Sequence, residues 1–179
     1  MHAVTFFRAF LKNWKEVGWP LQTSPQSARK ICDAIDFDKA RRVVEVGSGA
    51  GVVTREILRL LHEEAELIVF EVNPELCKCL EAIDDRRLVV YNASGFQMAD
   101  FLDGKVDYVV SEIPIATLSK SSLDSYYQSI KAVLRDSGSC IQVQLSPISY
   151  PRLKRFFKKV TIAFTLMNPP PMFIYCCRD

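Results

Sequence analysis

The sequence is poor in residues that define several common classes of enzyme. Its 179 residues include only two histidines, His2 at the start and His62 far along the chain. A Ser-His-Asp triad or a multi-histidine metal site would need both of them in one cleft. We therefore expect neither a histidine-based triad nor a bound metal.

The cysteines form no recognisable framework. There are six, without a C-x-x-C pair and without the regular spacing of small secreted domains. We interpret them as reduced, mostly buried thiols, which favours the reducing cytosol.

The net charge is small, because 23 Lys and Arg stand against 21 Asp and Glu. A charge of +2 does not by itself indicate nucleic-acid or membrane binding.

The chain lacks an uninterrupted apolar segment that would span a bilayer. Its longest uncharged run, Val160 to Cys177, is divided by Asn168 and the three prolines that follow it. We expect two short strands on either side of these prolines. The first 17 residues are apolar but contain Arg8, Lys12, Lys15 and Glu16. They therefore lack the apolar core of a signal peptide.

Strands alternate with helices through most of the sequence, and the length suits one domain. Near-continuous apolar strands separated by helices are typical of a parallel sheet covered on both faces. We predict an α/β fold: a three-layer Rossmann-like sheet, mostly parallel, with an antiparallel C-terminal edge strand and N-terminal helices. Residues 1–36 are predicted as amphipathic and capping helices, and residues 37–179 as the main unit of a single domain. Strands are predicted over residues 42–46, 67–72, 87–91, 106–111 and 139–145, and helices over residues 24–35, 52–64, 74–83, 121–134 and 150–157.

Residues 4–17 have the period of an amphipathic helix. One arc carries Phe6, Phe7, Phe10, Leu11, Trp14 and Val17, and charged residues occupy the other. Such a helix either lies on an anionic bilayer or packs as a lid on the protein's own core. A second basic feature follows near the C-terminus, and it consists of Arg152, Lys154, Arg155, Lys158 and Lys159. This basic cluster either binds acidic head groups or forms a solvated helix face.

A glycine-rich turn follows the first predicted strand. Gly47, Gly49 and Gly51 alternate with Ser48 and Ala50, directly before a predicted helix. Glycines free this turn from Cβ atoms, so backbone amides can approach a ligand at the positive end of the helix. The spacing lacks the third glycine of the nicotinamide fingerprint.

Two carboxylates accompany the turn. Glu45 stands two positions before Gly47 and suits a ligand with cationic groups. Glu71 ends the second strand 20 residues beyond Gly51. A doubly wound fold places an acid there to accept hydrogen bonds from both ribose hydroxyls. The alternative is a tight turn with an unrelated surface glutamate.

On these residues the chain resembles class I S-adenosylmethionine-dependent methyltransferases. The resemblance implies S-adenosylmethionine as cofactor, with Glu71 as the ribose-binding acid and Asn92 beside the adenine. It also implies that the segment around Ser111 and Glu112 presents the substrate to the methyl group. The implied cofactor-binding residues are Glu45, Gly47, Ser48, Gly49, Gly51, Glu71, Val72, Asn92, Ala93 and Ser111.

Three segments resemble bacterial phospholipid N-methyltransferases in particular. Ser111-Glu112-Ile113-Pro114 fits their Ser-x-(Leu/Ile)-Pro motif, and the segment from Asn168 to Tyr175 resembles their C-terminus, with Pro169 and Met172 departing from it. Thr23-Ser24 matches their Ser/Thr pair. The resemblance implies a phosphatidylethanolamine-type lipid amine as substrate, with Glu112, Ser111 and Pro114 as catalytic residues. It also implies a cytoplasmic protein, peripheral on the inner face of the membrane.

Other assignments stay open at this point. Glu112 either attracts a cationic head group and accepts its proton, or is an exposed loop carboxylate. Ribosomal RNA adenine dimethyltransferases have Asn-Leu-Pro-(Tyr/Phe) at the same place, where this chain has Glu112 and Ile115. Isoleucine has no π face for a flipped base, so Phe96, Tyr126 or Phe173 would have to replace it. A third possibility is a module that binds the nucleoside without turnover.

Overall fold

The computed structural model describes residues 23–168 and 170–179. The helix predicted over residues 4–17 lies outside them. The first described helix is α1, Pro25–Cys32, which begins as predicted with Ser24 as N-cap: the Ser24 side chain accepts a hydrogen bond from the Ser27 amide. Its predicted end at residue 35 was too late.

Strands and helices then alternate as the apolar pattern predicts. The strands are β1 (Arg42–Val46), β2 (Glu66–Phe70), β3 (Leu88–Tyr91), β4 (Val106–Ser111), β5 (Leu134–Gln144), β6 (Lys159–Thr165) and β7 (Met172–Arg178). The helices are α2 (Val52–Leu60), α3 (Pro74–Glu81), α4 (Met98–Phe101), α5 (Lys120–Val133) and α6 (Tyr150–Leu153). Short 3₁₀ turns cover Gly95–Gln97, Ile115–Thr117 and Pro147–Ser149. No described helix has both the length and the apolarity needed to cross a membrane.

The seven strands form one sheet in the order β3-β2-β1-β4-β5-β7-β6. The first five strands pair in parallel, and β7 is antiparallel to both β5 and β6. The predicted fold class is confirmed, with one refinement: the antiparallel strand β7 lies inside the sheet and β6 is the outermost strand. The exposure of the two strands agrees with this order, because most of β6 is exposed whereas most of β7 is buried.

Helices cover both faces of the sheet, which makes three layers. On one face Val44 and Val46 of β1 belong to a core with Tyr126, Tyr127 and Ile130 of α5. On the other face Val43 packs in a core formed with α1, α2 and α3. The alternating side chains of β1 therefore serve two cores, as expected for a buried parallel strand.

Besides the end of α1, two helices and one strand differ from the predicted bounds by four or five residues, and several other elements differ by one or two. The helix predicted over residues 52–64 ends at Leu60, because Leu61 has extended backbone angles. The helix predicted over residues 150–157 ends at Leu153 and continues as turns. Strand β5 begins at Leu134, five residues earlier than predicted, through an irregular stretch where its register against β4 shifts. The apolar pattern misses this stretch because residues 135–137 are exposed.

Candidate active site

A cavity of about 570 Å³ opens at the carboxyl ends of the parallel strands, next to the point where the strand order reverses between β1 and β4. Open α/β sheets bind ligands at this position. The glycine turn, the ends of β2 and β4, and the start of the loop after β5 supply its walls. A cavity at this position is the expected binding and reaction site of such a fold.

The glycine turn has a backbone conformation that side chains disfavour. Gly47, Gly49 and Gly51 have φ angles of 79°, 56° and 81°, in the left-handed region where glycine is favoured. A Cβ on Gly47 would lie 3.0 Å from Cγ2 of Ile113, whereas a Cβ on Gly49 would meet nothing within 4 Å. Gly47 thus allows close packing against the loop after β4, and Gly49 leaves open space for a ligand.

Glu71 holds the turn to the end of β2. Its Oε2 accepts a hydrogen bond from the Gly49 amide at 3.1 Å, and its Oε1 accepts one from the Asn73 amide at 2.8 Å. Burial raises the pKa of this carboxyl, and the amide hydrogen bonds offset part of the rise. Glu71 lines the cavity, so its remaining lone pairs are available to hydroxyl donors.

Glu45 lies beneath the turn and does not line the cavity. It is fully buried, and neither carboxylate oxygen has a hydrogen-bond partner within residues 23–168 and 170–179. Burial raises its pKa well above the ordinary value, and the nearby charges of Glu112 and Glu71 raise it further. Burial and the like charges nearby therefore favour the protonated form of Glu45.

Glu112 lies on the opposite wall. Its amide donates to the Val46 carbonyl at 3.0 Å, and its Oε2 accepts the Thr23 hydroxyl at 2.7 Å. Burial, and to a smaller extent the charge of Glu71, raise the pKa of Glu112 to about 7, although the Thr23 hydrogen bond lowers it. Glu112 is half-buried and lines the cavity. The alternative of an exposed loop carboxylate is therefore wrong.

Buried side chains fix the loop that carries Glu112. Gln142 Nε2 donates to the carbonyls of Ser111 at 3.0 Å and Ile113 at 3.1 Å, and Gln144 Nε2 donates to that of Ile113 at 2.8 Å. The Tyr126 hydroxyl donates to Ser111 Oγ at 2.8 Å inside the core. These bonds explain why the loop presents Glu112 to the cavity in a defined position.

The predicted site residues divide into two groups. One group meets around the cavity: Gly47, Ser48, Gly49, Glu71, Val72, Glu112 and Pro114. The other does not line it: Glu45, Gly51, Asn92, Ala93 and Ser111. Asn92 Nδ2 instead donates to the Glu71 carbonyl at 3.0 Å and contacts Cys77 Sγ at 3.4 Å. Ser111 is fully buried.

Other cavity residues were not predicted to be catalytic or cofactor-binding, although the sequence pointed to Thr23 through a motif and to Phe96 as a candidate stacking side chain. Thr23 and Phe96 line the cavity, as does Gln144. Asn168 is nearly fully buried, and its Oδ1 accepts the Ser24 amide at 2.8 Å, so the loop between β6 and β7 fixes the residue next to Thr23. The motif resemblance names Thr23, Ser24 and Asn168, but not their contacts. Only the fold brings residues 23, 112 and 168 together.

Comparison with known proteins identifies the family. A family model described as a methyltransferase domain matches residues 43–138, more than half of the chain. The chain belongs to this methyltransferase family. The ornithine lipid N-methyltransferase of Singulisphaera acidiphila is 30% identical, over 97% of this chain and 94% of that protein. The expected methyltransferase activity is thereby confirmed, and the interpretation as a module without turnover is not supported.

Solved structures confirm the fold of this methyltransferase. The precorrin-6y C5,15-methyltransferase of Geobacter metallireducens superposes with a TM-score of 0.72 at 14% identity, covering 89% of this chain and 90% of that one. Human methyltransferase-like protein 13, in complex with SAH, gives a TM-score of 0.66 at 12% identity, covering 88% and 84%. At these identities the likeness concerns the fold.

S-adenosylmethionine is the cofactor of this methyltransferase, and three features of the cavity fit it. Ser48 lines the cavity, and its hydroxyl is buried without a hydrogen-bond partner in the described part of the chain. The space beside Gly49 is open, because a Cβ added there would meet no atom within 4 Å. The Glu71 carboxylate can accept from ribose hydroxyls. These three residues, with Gly47 and Val72, would hold the cofactor, which supplies an activated methyl group when bound.

The aromatic wall needed for a nucleic-acid base is only partly present. Phe96 lines the cavity, but Tyr126 is fully buried and its hydroxyl is used by Ser111. Phe173 is half-buried and does not line the cavity. Among the described residues no group of three His, Cys, Asp or Glu side chains is placed to hold a metal ion.

Proposed function

We propose that this methyltransferase N-methylates a lipid amine of the phosphatidylethanolamine type. The observation that carries the proposal is Glu112, a carboxylate that Thr23 holds on the wall of a predominantly apolar cavity. An anionic group in apolar surroundings suits an amine attached to a lipid. The similarity to an ornithine lipid N-methyltransferase supports the same substrate class.

The chemistry requires a neutral amine, because an ammonium group has no lone pair to attack with. A carboxyl with a pKa of about 7 is well matched to remove that proton at neutral pH. In this mechanism the ionised Glu112 attracts the ammonium group and takes one proton from its nitrogen. Thr23 donates to Oε2, and no side chain or amide of residues 23–168 and 170–179 donates to Oε1, which in this mechanism faces the substrate. Correct alignment alone contributes about 7–11 kcal/mol in well-oriented reactions.

The same proposal places the protein on the inner face of the membrane. Lys154, Arg155, Lys158 and Lys159 of the basic cluster are exposed. Each cation near an anionic surface contributes about 1 kcal/mol of binding. In this proposal residues 1–36 form the capping and membrane-contacting part, and residues 37–179 form the catalytic unit. Helix α1 supports a single domain, because Ala28 and Ile31 pack in the same core as α2.

Incubation with labelled S-adenosylmethionine tests the substrate. Separate reactions would contain vesicles with phosphatidylethanolamine, vesicles with ornithine lipid, and total RNA. We expect label in a lipid amine and none in RNA. Label in RNA alone would overturn the proposal in favour of the adenine methyltransferase alternative. Label in neither lipid while another amine accepts methyl would also overturn it.

A further inference from the structure

A group of large apolar side chains is exposed around the mouth of the cavity. We call it the apolar rim, and it consists of Leu145, Ile148, Phe164, Leu166 and Met167. Their exposed fractions are 40%, 69%, 61%, 72% and 66%. Such a concentration is unusual on a soluble surface and marks a contact site.

The rim is continuous with the cavity. Leu145 follows β5 directly and itself lines the cavity. Met172, another lining residue, pairs with Thr165 at the end of β6, just before Leu166. One part of the rim, Leu145 and Ile148, follows β5, and the other part belongs to β6 and the loop after it. Tyr175 connects the two segments, because it pairs with Ile162 of β6 and donates its hydroxyl to the Ser146 carbonyl at 2.9 Å. A molecule bound to the rim would therefore meet the cavity mouth.

Charge identifies the kind of partner. Residues 137–178 contain six Lys and Arg and no Asp or Glu. Lys154 lies close to the rim, because its Nζ is 5.7 Å from the centre of the Tyr150 ring, two residues after Ile148. Within residues 23–168 and 170–179, no carboxylate lies within 4.0 Å of its ammonium group. Lys158 and Lys159 stand at the start of β6, at the opposite end of the sheet from Leu166. Arg155 has only a long contact of 3.7 Å with Asp124. Exposed apolar side chains with an unneutralised cation close by match an anionic lipid surface.

Residues 1–22 are a poorer electrostatic match for this surface. They carry Arg8, Lys12 and Lys15 against Glu16. A basic segment does not complement a region that is itself basic. An anionic bilayer complements both.

We propose that the apolar rim inserts among the lipids of an anionic bilayer, so that the cavity mouth faces the head groups and the substrate enters from the membrane. This inference deepens the proposed function and rests on it. It assigns the contact to the loops after β5 and β6, a surface separate from the helix predicted over residues 4–17.

The test measures sedimentation of the full-length protein with vesicles of phosphatidylcholine and phosphatidylglycerol. The test variant combines Ile148→Ser, Leu166→Ser and Met167→Ser, three positions with little buried area to lose. The control is Phe101→Ser, which removes an exposed apolar side chain beside Phe70 and Tyr91, in the opposite half of the sheet from β6. Calorimetry with S-adenosylmethionine confirms that each variant is folded.

We expect the triple variant to bind vesicles at least tenfold more weakly than the wild type and the control. Its methyl transfer to a short-chain lipid amine, dispersed as monomers, stays at the wild-type level. Removal of the Lys154 charge weakens vesicle binding by about a further fivefold at low salt.

Two results would overturn the inference. One is a wild-type protein that does not sediment with the vesicles. The other is a triple variant that sediments like the wild type. If the Tm of that variant is also lowered, the rim would be assigned as a packing surface for residues 1–22. Vesicle binding that depends on the rim, without methylation of any lipid, would instead overturn the proposed substrate and leave the rim as the membrane contact.

Discussion

The two halves of the sheet differ in charge and in the groups that they contribute to the cavity and its rim. Residues 37–112 carry 15 acidic against nine basic side chains, whereas residues 137–178 carry no acid and six bases. The first half forms its part of the cavity from a glycine turn, backbone amides and buried carboxylates. The second half contributes glutamine hydrogen bonds, an exposed apolar rim and the basic cluster. A cationic sulfonium cofactor suits the first half, and an anionic lipid surface suits the second.

The cofactor side of the cavity depends on backbone conformation, whereas the acceptor side depends on side chains. Positive φ angles at three glycines shape the turn, and few substitutions preserve them. Glu112 stands where the two halves meet, since its amide bonds to β1 and its loop is held from β5.

Removal of the Glu112 charge should produce the largest loss of activity. For Glu112→Gln we expect kcat to fall by about 10²–10⁴-fold, because general-base catalysis contributes about that much. S-adenosylmethionine affinity should stay close to the wild-type value. In the wild type kcat/KM should rise as the pH rises through about 7, since Glu112 must be ionised to accept a proton. The pH profile of the variant should be flat in this range.

The matched control for that variant is Glu75→Gln. Glu75 is exposed on α3, pairs with Lys78 at 3.0 Å and does not line the cavity. Its kinetics should equal those of the wild type. An unchanged rate for Glu112→Gln would remove the base from the mechanism.

The dependence of the cofactor half on backbone conformation can be tested at Gly47. Gly47→Ala adds a Cβ at a φ of 79°, within 3.0 Å of Ile113. We expect S-adenosylmethionine to bind at least tenfold more weakly by calorimetry, because the turn must shift. Gly104→Ala is the control, since Gly104 has a φ of 94° outside the cavity. It should lose about 1–2 kcal/mol of stability at unchanged cofactor affinity, and equal affinity losses in both would contradict the interpretation.

The raised pKa of Glu112 also predicts a pH-dependent stability difference. The folded protein binds this proton more tightly than the unfolded chain, so this stabilisation is present below the unfolded pKa of about 4.5 and is lost as the pH rises through about 7. Glu112→Gln removes the effect. Relative to the wild type, its free energy of unfolding should therefore increase by about 1–3 kcal/mol between pH 5 and pH 8. Urea denaturation at both pH values measures it, and a constant difference would contradict the assigned pKa.

Thr23 should show the smallest effect, as a positioning residue. Thr23→Val removes the hydroxyl that lowers the pKa of Glu112, so the midpoint of the pH–activity profile should move upward by about half a unit to one unit. Turnover at pH 7 should fall about two- to fivefold, because a smaller fraction of Glu112 is then ionised. Thr23→Ser keeps the hydroxyl and should restore the wild-type midpoint. A loss of activity without a shifted midpoint would indicate a purely structural role.

Much of the fold follows from the local pattern of the chain. The start of α1 follows from Ser24 and Pro25, and the spacing of the glycines alone predicts the turn after β1. The extra residues of β5 were missed because polar, exposed side chains there do not show a strand pattern. Ser111 was placed in the site by its motif, yet its hydroxyl faces Tyr126 in the core, because successive strand residues point to opposite faces.

The sequence alone determined the alternation of strands and helices, the glycine turn and its two carboxylates, since these are properties of short stretches of chain. Tertiary structure decided which of these groups meet. Thr23, Glu112 and Asn168 are up to 145 residues apart, yet hydrogen bonds connect their segments. The raised pKa of Glu112 likewise arises from burial and from the charge of Glu71. No local pattern encodes either effect, because burial and through-space charge depend on what the rest of the fold brings near.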